Sequence, residues 1–318
     1  MRLLVTGGAG FIGSNFISHM LDGNLTGNYS VTVLDSLIYA GNLANLEKHR
    51  SNPKFNFIQG DIRDERIVKV LTKDADIVIN FAAESHVDRS IEDASNFIST
   101  NILGTHNLLH HSRSNGVQRF IQISTDEVYG SIDEGSWTED SLIQPISPYS
   151  ASKASADLIA RSYFKTYNFP VLVTRCSNNY GPFQHIEKFI PGSITNIISG
   201  KNIRVYGQGL NVRDWIHVKE HCVAIEKVMH KGKAGGVFNI GGSNELTNIY
   251  IAHEICRLMG VDADRIDFVE DRKGHDFRYS VNSNLIAGLG FRLATEFQSG
   301  LLETITWYQE NTEWWKSS

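Results

Sequence analysis

Short apolar runs rich in β-branched residues alternate with helical patterns through the first half of the chain. Each run is apolar at consecutive positions, which is typical of parallel strands buried on both faces. Such runs separated by helices predict a doubly wound parallel α/β sheet of the Rossmann type. The predicted strands cover residues 3–5, 31–34, 55–58, 77–79, 120–123 and 171–173.

Two helical patterns in this half, at 97–111 and 150–166, have wide apolar faces. A surface helix normally buries one narrower stripe, so we expect both helices to pack against a second copy of the chain in a homodimer.

The alternation of apolar strands and helices ends at about residue 176. After it, Gly-, Asn- and Pro-rich loops separate further helices. We therefore expect a cofactor domain over residues 1–175 and a smaller, mainly substrate-binding lobe over 176–318. A strand predicted at 237–240 suggests that the chain recrosses between the two near 210–242. The helices of the second half are predicted near 189–199, 219–230 and 247–259.

Composition narrows the possible partners of the chain. The 318 residues have a net charge of -5, which argues against a surface for nucleic acid, and 41% of them are hydrophobic. The apolar stretches fall below the roughly 20 residues that a membrane-spanning helix needs. Three widely spaced cysteines and the absence of an apolar leader favour a reduced, cytoplasmic protein.

A glycine-rich turn follows the first predicted strand and opens a helix. Its sequence, T-G-G-A-G-F-I-G at residues 6–13, contains G-x-G-x-x-G. Glycines let the backbone approach a pyrophosphate, and the helix N-terminus stabilises the phosphate charge. The alternative is a merely tight turn. The residues predicted to hold a dinucleotide here are Gly7, Gly10, Phe11, Ile12 and Gly13.

Further cofactor residues are predicted at the ends of later strands. Asp35 ends the second strand, where its carboxylate can bind a ribose diol and repel a 2'-phosphate, so NAD is favoured over NADP. Ligands of a parallel sheet bind at the carboxyl ends of its strands. Asp61 and Ile62 are accordingly expected near the adenine, and Ala82 and Ala83 near the rest of the cofactor, although ordinary turns remain the alternative.

Two groups of polar residues suggest catalysis. Tyr149 and Lys153 are one helical turn apart, and an ammonium beside a phenol is expected to lower the phenol pKa and make it a base. Asp126 and Glu127 follow the fifth strand in S-T-D-E-V-Y-G. This acidic pair is either catalytic or a cap of the local turn.

The motifs together resemble the extended short-chain dehydrogenase/reductase superfamily of nucleotide-sugar enzymes. The Thr-Asp-Glu triplet resembles the nucleotide-diphosphate-glucose 4,6-dehydratases, and nearly the whole chain is similar to the members that act on dTDP-glucose. The supporting stretches are A-A-E-S-H-V-D-R-S (82–90), S-N-N-Y-G-P (177–182), E-K-F-I-P (187–191), R-D-W-I-H-V (213–218) and D-R-K-G-H-D (271–276).

The resemblance implies a hydro-lyase with tightly bound NAD. Such an enzyme oxidises the sugar at C4, eliminates water across C5 and C6, and returns the hydride to C6, for the biosynthesis of deoxysugars such as rhamnose. It implies that Glu127 is the C5 base, Asp126 the acid at O6, Thr125 and Tyr149 partners of the C4 oxygen, and Lys153 a ligand of the nicotinamide ribose.

The resemblance also implies a homodimer. Its interface, the seam, would be a four-helix bundle made of two helices from each copy. The resemblance further assigns roles to the remaining site residues. Asn179 and Thr100 are assigned to the cofactor. The substrate residues are Ser85, Thr125, Asn178, Lys188, Phe189, Arg204, Tyr206, Arg213, Asn248, Arg272 and His275.

Other functions remain open. The scaffold also suits a nucleotide-sugar 4-epimerase, which needs Tyr149 and Lys153 but not the two carboxylates, or a dehydratase that uses another nucleotide-glucose. A non-catalytic NAD-binding sensor is a third alternative. The histidines form no H-x-x-x-H or comparable cluster, so no metal is expected.

Overall fold

A seven-stranded sheet forms the centre of this computed structural model, which describes residues 1–22, 28–38, 40–271 and 276–316. The strands of the chain are β1 (Arg2–Thr6), β2 (Ser30–Asp35), β3 (Phe55–Gln59), β4 (Ile77–Asn80), β5 (Arg119–Thr125), β6 (Val171–Cys176), β7 (Asn178–Tyr180), β8 (Ile203–Tyr206), β9 (Val212–His217), β10 (Val237–Ile240), β11 (Glu245–Thr247) and β12 (Ile266–Val269).

The order across the central sheet is β10-β6-β5-β4-β1-β2-β3, and every neighbouring pair is parallel. All residues of β4 and β6 are buried, as expected for strands covered on both faces. The predicted doubly wound α/β fold is therefore confirmed.

Helices cover both faces of this sheet and build the rest of the molecule. The α-helices are α1 (Phe11–Leu21), α2 (Glu65–Leu71), α3 (Val87–Glu92), α4 (Ser95–Phe97), α5 (Thr105–Ser114), α6 (Pro148–Tyr167), α7 (Phe189–Ile198), α8 (Val218–Lys231), α9 (Asn248–Met259), α10 (Asn284–Gly288), α11 (Phe297–Glu310) and α12 (Thr312–Lys316). A π-helical stretch spans Ile98–Gly104, and 3-10 turns span Leu43–His49, Thr72–Asp74, Asp126–Tyr129 and Ala263–Arg265.

The second half of the chain adds two small sheets, β11-β9-β7 and β12-β8, and its own apolar core. Helices α7, α9 and α11 supply this core with Ile194, Ile251 and Leu301, which are completely buried. Tyr308 and Trp315 of the aromatic tail are also buried there. Helices α11 and α12 at the end of the chain therefore pack on this core.

One strand of the central sheet comes from this second half. Strand β10 pairs with β6 in parallel, with Val237 opposite Val173. The sheet is thus completed by a segment that follows the first small-sheet strands in the chain. In the ranges that the structure describes, no helix is long and apolar enough to cross a membrane.

Candidate active site

A cavity of about 310 Å³ opens at the carboxyl ends of the central strands. This is the edge at which ligands bind in open α/β sheets. It brings together most of the residues that the sequence singled out. Its lining includes Gly7, Gly10, Phe11, Ile12, Gly13, Asp35, Asp61, Ile62, Ala82, Ala83, Ser85, Thr100, Thr125, Asp126, Glu127, Tyr149, Lys153, Asn178, Asn179 and Lys188.

The glycine turn after β1 has no room for side chains at two positions. Gly7 has a φ of +69°, and a Cβ there would lie 2.5 Å from the Ala82 nitrogen. A Cβ on Gly13 would lie 2.4 Å from the Gly7 carbonyl oxygen. The turn leads into α1, whose first turn contains no acidic residue, so its N–H groups suit a phosphate.

Asp35 lies at the end of β2 with its carboxylate held by the backbone. Its Oδ2 accepts a hydrogen bond from the Ala9 nitrogen at 2.9 Å, and its Oδ1 accepts one from Leu37 at 2.9 Å. Burial raises the pKa of Asp35, while these two N–H groups act in the opposite direction. Each oxygen retains a second lone pair, so the turn and Asp35 together fit the phosphates and a ribose diol of NAD.

Helix α6 presents Tyr149 and Lys153 to the cavity within its first two turns. Ser147 caps the helix by accepting a hydrogen bond from the Ser150 nitrogen at 3.0 Å, and Pro148 occupies the first helical position. The Lys153 Nζ donates a hydrogen bond to the Ile123 carbonyl at 2.7 Å. The Lys153 side chain is thereby fixed against the end of β5.

The acidic pair follows β5 in the 3-10 turn Asp126–Tyr129. The cap of this turn is the Thr125 hydroxyl, which accepts a hydrogen bond from the Glu127 nitrogen at 3.3 Å. Thr125 also donates to Asp126 Oδ1 at 3.2 Å, whereas the buried Asp126 Oδ2 has no hydrogen-bond partner in the described part of the chain. The threonine, rather than Asp126, thus serves as the N-terminal cap.

The surroundings of Asp126 favour its neutral form. Burial raises its pKa well above the ordinary value, the negative charges of Glu127 and Asp214 raise it further, and Arg213 opposes them. A protonated carboxyl beside a second carboxyl is the arrangement expected of an acid working next to a base.

The expectation that Lys153 lowers the phenol pKa is wrong for the protein alone. Burial raises the pKa of Tyr149 well above its ordinary value, and Glu127 and other acidic neighbours raise it further. Burial also lowers the pKa of Lys153. Removing both groups from water disfavours their charged forms, and this effect outweighs their proximity along the helix.

We expect Asp126→Asn to raise the melting temperature at about pH 8 by about 2–4 °C and to change it little at about pH 4. Because the folded pKa lies above the unfolded value, folding favours the protonated carboxyl, and stability falls as pH rises towards the folded pKa. An amide carries no such penalty. Thermal unfolding at both pH values tests this.

The control for this variant is Asp140→Asn, because Asp140 is exposed. It should leave the melting temperature unchanged at both pH values. An equal gain for Asp126→Asn at about pH 4 and about pH 8 would contradict the raised pKa.

Several predicted substrate residues lie away from the cavity wall. Arg204 and Tyr206 are exposed on β8, while Phe189 and Asn248 begin α7 and α9 and are partly buried. Arg272 and His275 lie outside the described residues. Arg204, Tyr206, Phe189 and Asn248 are not part of the cavity lining.

Arg213 is also outside the lining. Its guanidinium donates to the backbone carbonyls of Val212, Asp276 and Phe277 and lies over the Tyr279 ring, 4.4 Å from its centroid. It acts on Asp126 through its charge.

The sequence did not single out some residues that shape the site. Glu84, Cys176, Gln184 and His185 line the cavity. Asn101, in the π-helical stretch, accepts a hydrogen bond from the Glu84 nitrogen at 2.9 Å and donates to Ser152 at 2.8 Å. Asn101 carries no distinctive signal in the sequence, because it stands beside the polar residues Ser99 and Thr100.

No group of three or more His, Cys, Asp or Glu side chains in the described ranges is placed to hold a metal ion.

Relatives of known sequence match the chain over nearly its whole length. The family described as GDP-mannose 4,6 dehydratase matches residues 4–304. A dTDP-glucose 4,6-dehydratase of Actinoplanes sp. is 47% identical over 99% of this chain and 100% of its own length. A dTDP-glucose 4,6-dehydratase of Streptomyces niveus is 48% identical over 99% of this chain and 95% of its own length.

Solved structures give the same result. DesIV of Streptomyces venezuelae, a dTDP-glucose 4,6-dehydratase crystallised with NAD, is 49% identical, has a TM-score of 0.98, and is matched over 100% of this chain and 99% of its own. UDP-glucose 4-epimerase of Thermotoga maritima is 28% identical, with a TM-score of 0.91 over 98% of this chain and 100% of its own. Fold, cavity and sequence identity agree that the chain belongs to the dTDP-glucose 4,6-dehydratase family of the extended short-chain dehydrogenase/reductase superfamily.

Proposed function

We propose that this protein is an NAD-dependent hydro-lyase that converts dTDP-glucose into dTDP-4-keto-6-deoxyglucose. The observation that carries the proposal is the acidic pair Asp126 and Glu127 in the same cavity as Tyr149 and Lys153. The identity of 47% to a dTDP-glucose 4,6-dehydratase, against 28% to a 4-epimerase, supports elimination over epimerisation.

The reaction begins at C4 of the glucose. When bound, NAD would accept the hydride that leaves C4 and return it to C6. The overall reaction therefore has no net redox change. Tyr149 takes the proton from the C4 hydroxyl, while the Lys153 ammonium stabilises the phenolate that this transfer requires. Thr125 binds the same sugar oxygen.

Elimination follows because the C4 ketone makes the C5 proton acidic. Glu127 takes this proton, and Asp126 donates its own to the leaving 6-hydroxyl, which departs as water. When C6 has received its hydride, Glu127 returns the proton to C5. The raised pKa of Asp126 supports its role as the acid, because the carboxyl must be protonated before the hydroxyl leaves.

The cavity lining supports a division of binding residues between cofactor and substrate. The Lys188 Nζ, which donates to the Ser85 carbonyl at 3.0 Å, brings a positive charge that suits a sugar diphosphate. We propose that residues 1–175 mainly hold NAD and residues 176–318 mainly hold the substrate. The proposed NAD ligands are Gly7, Gly10, Phe11, Ile12, Gly13, Asp35, Asp61, Ile62, Ala82, Ala83, Thr100, Tyr149, Lys153 and Asn179.

A product assay tests the proposed function. Purified protein is incubated separately with dTDP-glucose, UDP-glucose and GDP-mannose, and the products are identified by NMR. We expect the 4-keto-6-deoxy sugar from dTDP-glucose, formed fastest with that donor. A C4-inverted sugar would support the epimerase instead, and no conversion of any donor would contradict both. We propose that this reaction serves cytoplasmic deoxysugar biosynthesis.

We also propose a homodimer through the helical surface around α6. Ile98 and Leu103 of the π-helical stretch are 51% and 60% exposed, and Leu158 of the adjacent α6 is 53% exposed. Three large apolar side chains on packed neighbouring helices favour a protein interface. Sedimentation at micromolar concentration should therefore give a dimer.

The double variant Leu103→Glu/Leu158→Glu is expected to sediment as a monomer, because it places charges in the proposed seam. Leu302→Glu is the matched control, since Leu302 is 48% exposed on α11 of the other lobe. A wild-type monomer, or a control that dissociates equally, would contradict this interface.

A further inference from the structure

A buried ion pair lies one helical turn beyond Lys153. The side chains of Asp157 and Arg175 are fully buried, and Arg175 Nε donates to Asp157 Oδ2 at 2.9 Å. Asp157 belongs to α6 and Arg175 to β6, so the pair joins the helix that carries Tyr149 to the central sheet. Neither residue lines the cavity.

Arg175 is fixed by further contacts on its other side. Its Nη1 donates to the Tyr129 hydroxyl at 2.8 Å, and its guanidinium lies over the Tyr129 ring, 4.8 Å from the centroid. Tyr129 in turn donates to Asn239 Oδ1 at 2.8 Å. The position of Asp157 is therefore tied both to the turn that carries Asp126 and to β10.

Lys153 needs a source of negative charge to remain protonated when buried. Burial lowers its pKa, and Asp157 and Cys176 act to raise it. Burial also raises the pKa of Cys176 to about 12, so this thiol is uncharged at neutral pH. Asp157 thus supplies the negative charge that favours the Lys153 ammonium.

Other polar and charged groups packed against α6 affect the pKa values of Asp157 and Tyr149. Burial raises the pKa of Asp157, whereas the Arg175 guanidinium of β6, which donates to it at 2.9 Å, favours its ionised form. From β5, the Ser124 hydroxyl acts on the Asp157 carboxylate and lowers its pKa. Asp126 and Glu127, after β5, act on Tyr149.

We propose that Asp157 is a positioning residue of the Tyr149–Lys153 pair: its carboxylate, fixed by Arg175, keeps the Lys153 amine protonated and bonded to the Ile123 carbonyl. Asp157 is sealed from the cavity, so it acts through Lys153. The inference rests on the proposed function, in which the Lys153 ammonium supports proton transfer to Tyr149.

The test is the titration of Lys153 in the folded protein without substrate. The 13Cε resonance of Lys153, assigned with Lys153→Arg, is followed by NMR in lysine-labelled protein. In Asp157→Asn the titration midpoint should fall by roughly one pH unit, because a neutral amide no longer favours the ammonium. The alkaline limb of the kcat profile with dTDP-glucose should move to lower pH by the same amount.

Asp214→Asn is the matched control, because it makes the same change in another buried carboxylate. Asp214 accepts hydrogen bonds from the Gly242 and Asn244 nitrogens, each at 2.8 Å. This variant should melt at lower temperature without moving the Lys153 midpoint. An unchanged midpoint in Asp157→Asn, or an equal shift in Asp214→Asn, would overturn the proposal.

The wild-type protein and Asp157→Glu keep the test decisive if Asp157→Asn does not fold. Lys153 should be protonated in the wild type at about pH 7.5, and Asp157→Glu, which keeps the charge, should retain the wild-type midpoint. A neutral Lys153 in the wild type overturns the inference. Because the NMR titration needs no turnover, it remains readable even if the product assay fails.

Discussion

Glu127→Gln is expected to reduce formation of the 4-keto-6-deoxy product by about 1000-fold while C4 oxidation continues. The amide has nearly the shape of the carboxylate but cannot take the C5 proton. The raised pKa of Asp126 favours its protonated form, which cannot act as the base in its place. Product is measured by NMR, and loss of the C5 proton by exchange in deuterated water. Quenching with borodeuteride should still introduce deuterium at C4 of undehydrated sugar, which reports the ketone.

Glu134→Gln is the control for this prediction, because Glu134 is exposed. It should dehydrate dTDP-glucose at the wild-type rate. If Glu127→Gln kept the wild-type rate of dehydration, Glu127 would not be the C5 base. An epimerase would keep C4 inversion in this variant, since inversion needs no proton removal at C5.

Tyr149→Phe is expected to lower the overall rate by about 100- to 10,000-fold and to stop the reaction before elimination. Without the phenol no group takes the C4 hydroxyl proton, so the C4 ketone does not form. The C5 proton then does not become acidic. Neither C5 exchange nor borodeuteride labelling at C4 should therefore be detected. This absence of both signals distinguishes Tyr149→Phe from Glu127→Gln.

Tyr167→Phe provides the matched control, since Tyr167 lies on the same helix with 53% of its surface exposed. It should be as active as the wild type. C4 labelling in Tyr149→Phe at the wild-type rate would show that another group takes the proton. The melting temperature of Tyr149→Phe should also be measured, so that a folding defect is separated from a catalytic one.

The fold could be predicted because parallel strands covered on both faces consist of consecutive apolar residues, a pattern that is visible in the sequence. Residues 77–79 and 171–173 are apolar at every position, and both lie in fully buried strands. Chain order then helped to place the polar residues. The carboxyl ends of parallel strands share one edge, so Asp35 and Thr125, which are distant in sequence, line one cavity.

The electrostatics could not be predicted from spacing. Four residues along a helix bring Tyr149 and Lys153 to one face, but burial shifts both pKa values. Glu127, which lies on another element, raises the pKa of Tyr149 further. The same limit applies to Arg213. Its position in a motif does not show that its guanidinium donates to three backbone carbonyls.

The pairing of Asp157 with Arg175 was equally invisible, because it joins a helix to a strand. Its partners become neighbours only when α6 packs on β6. Asp157 and Arg175 do not line the cavity and belong to no recognised sequence motif, although the charge of Asp157 affects Lys153 in the cavity wall.

Strand β10 has a consequence for biosynthesis. On the ribosome, β6 emerges with its β5 side ready to pair, but its other edge finds its partner only when residues 237–240 have been translated. An exposed strand edge is a site of intermolecular pairing. The nascent chain is thus most prone to aggregation during synthesis of the roughly sixty residues that separate β6 from β10.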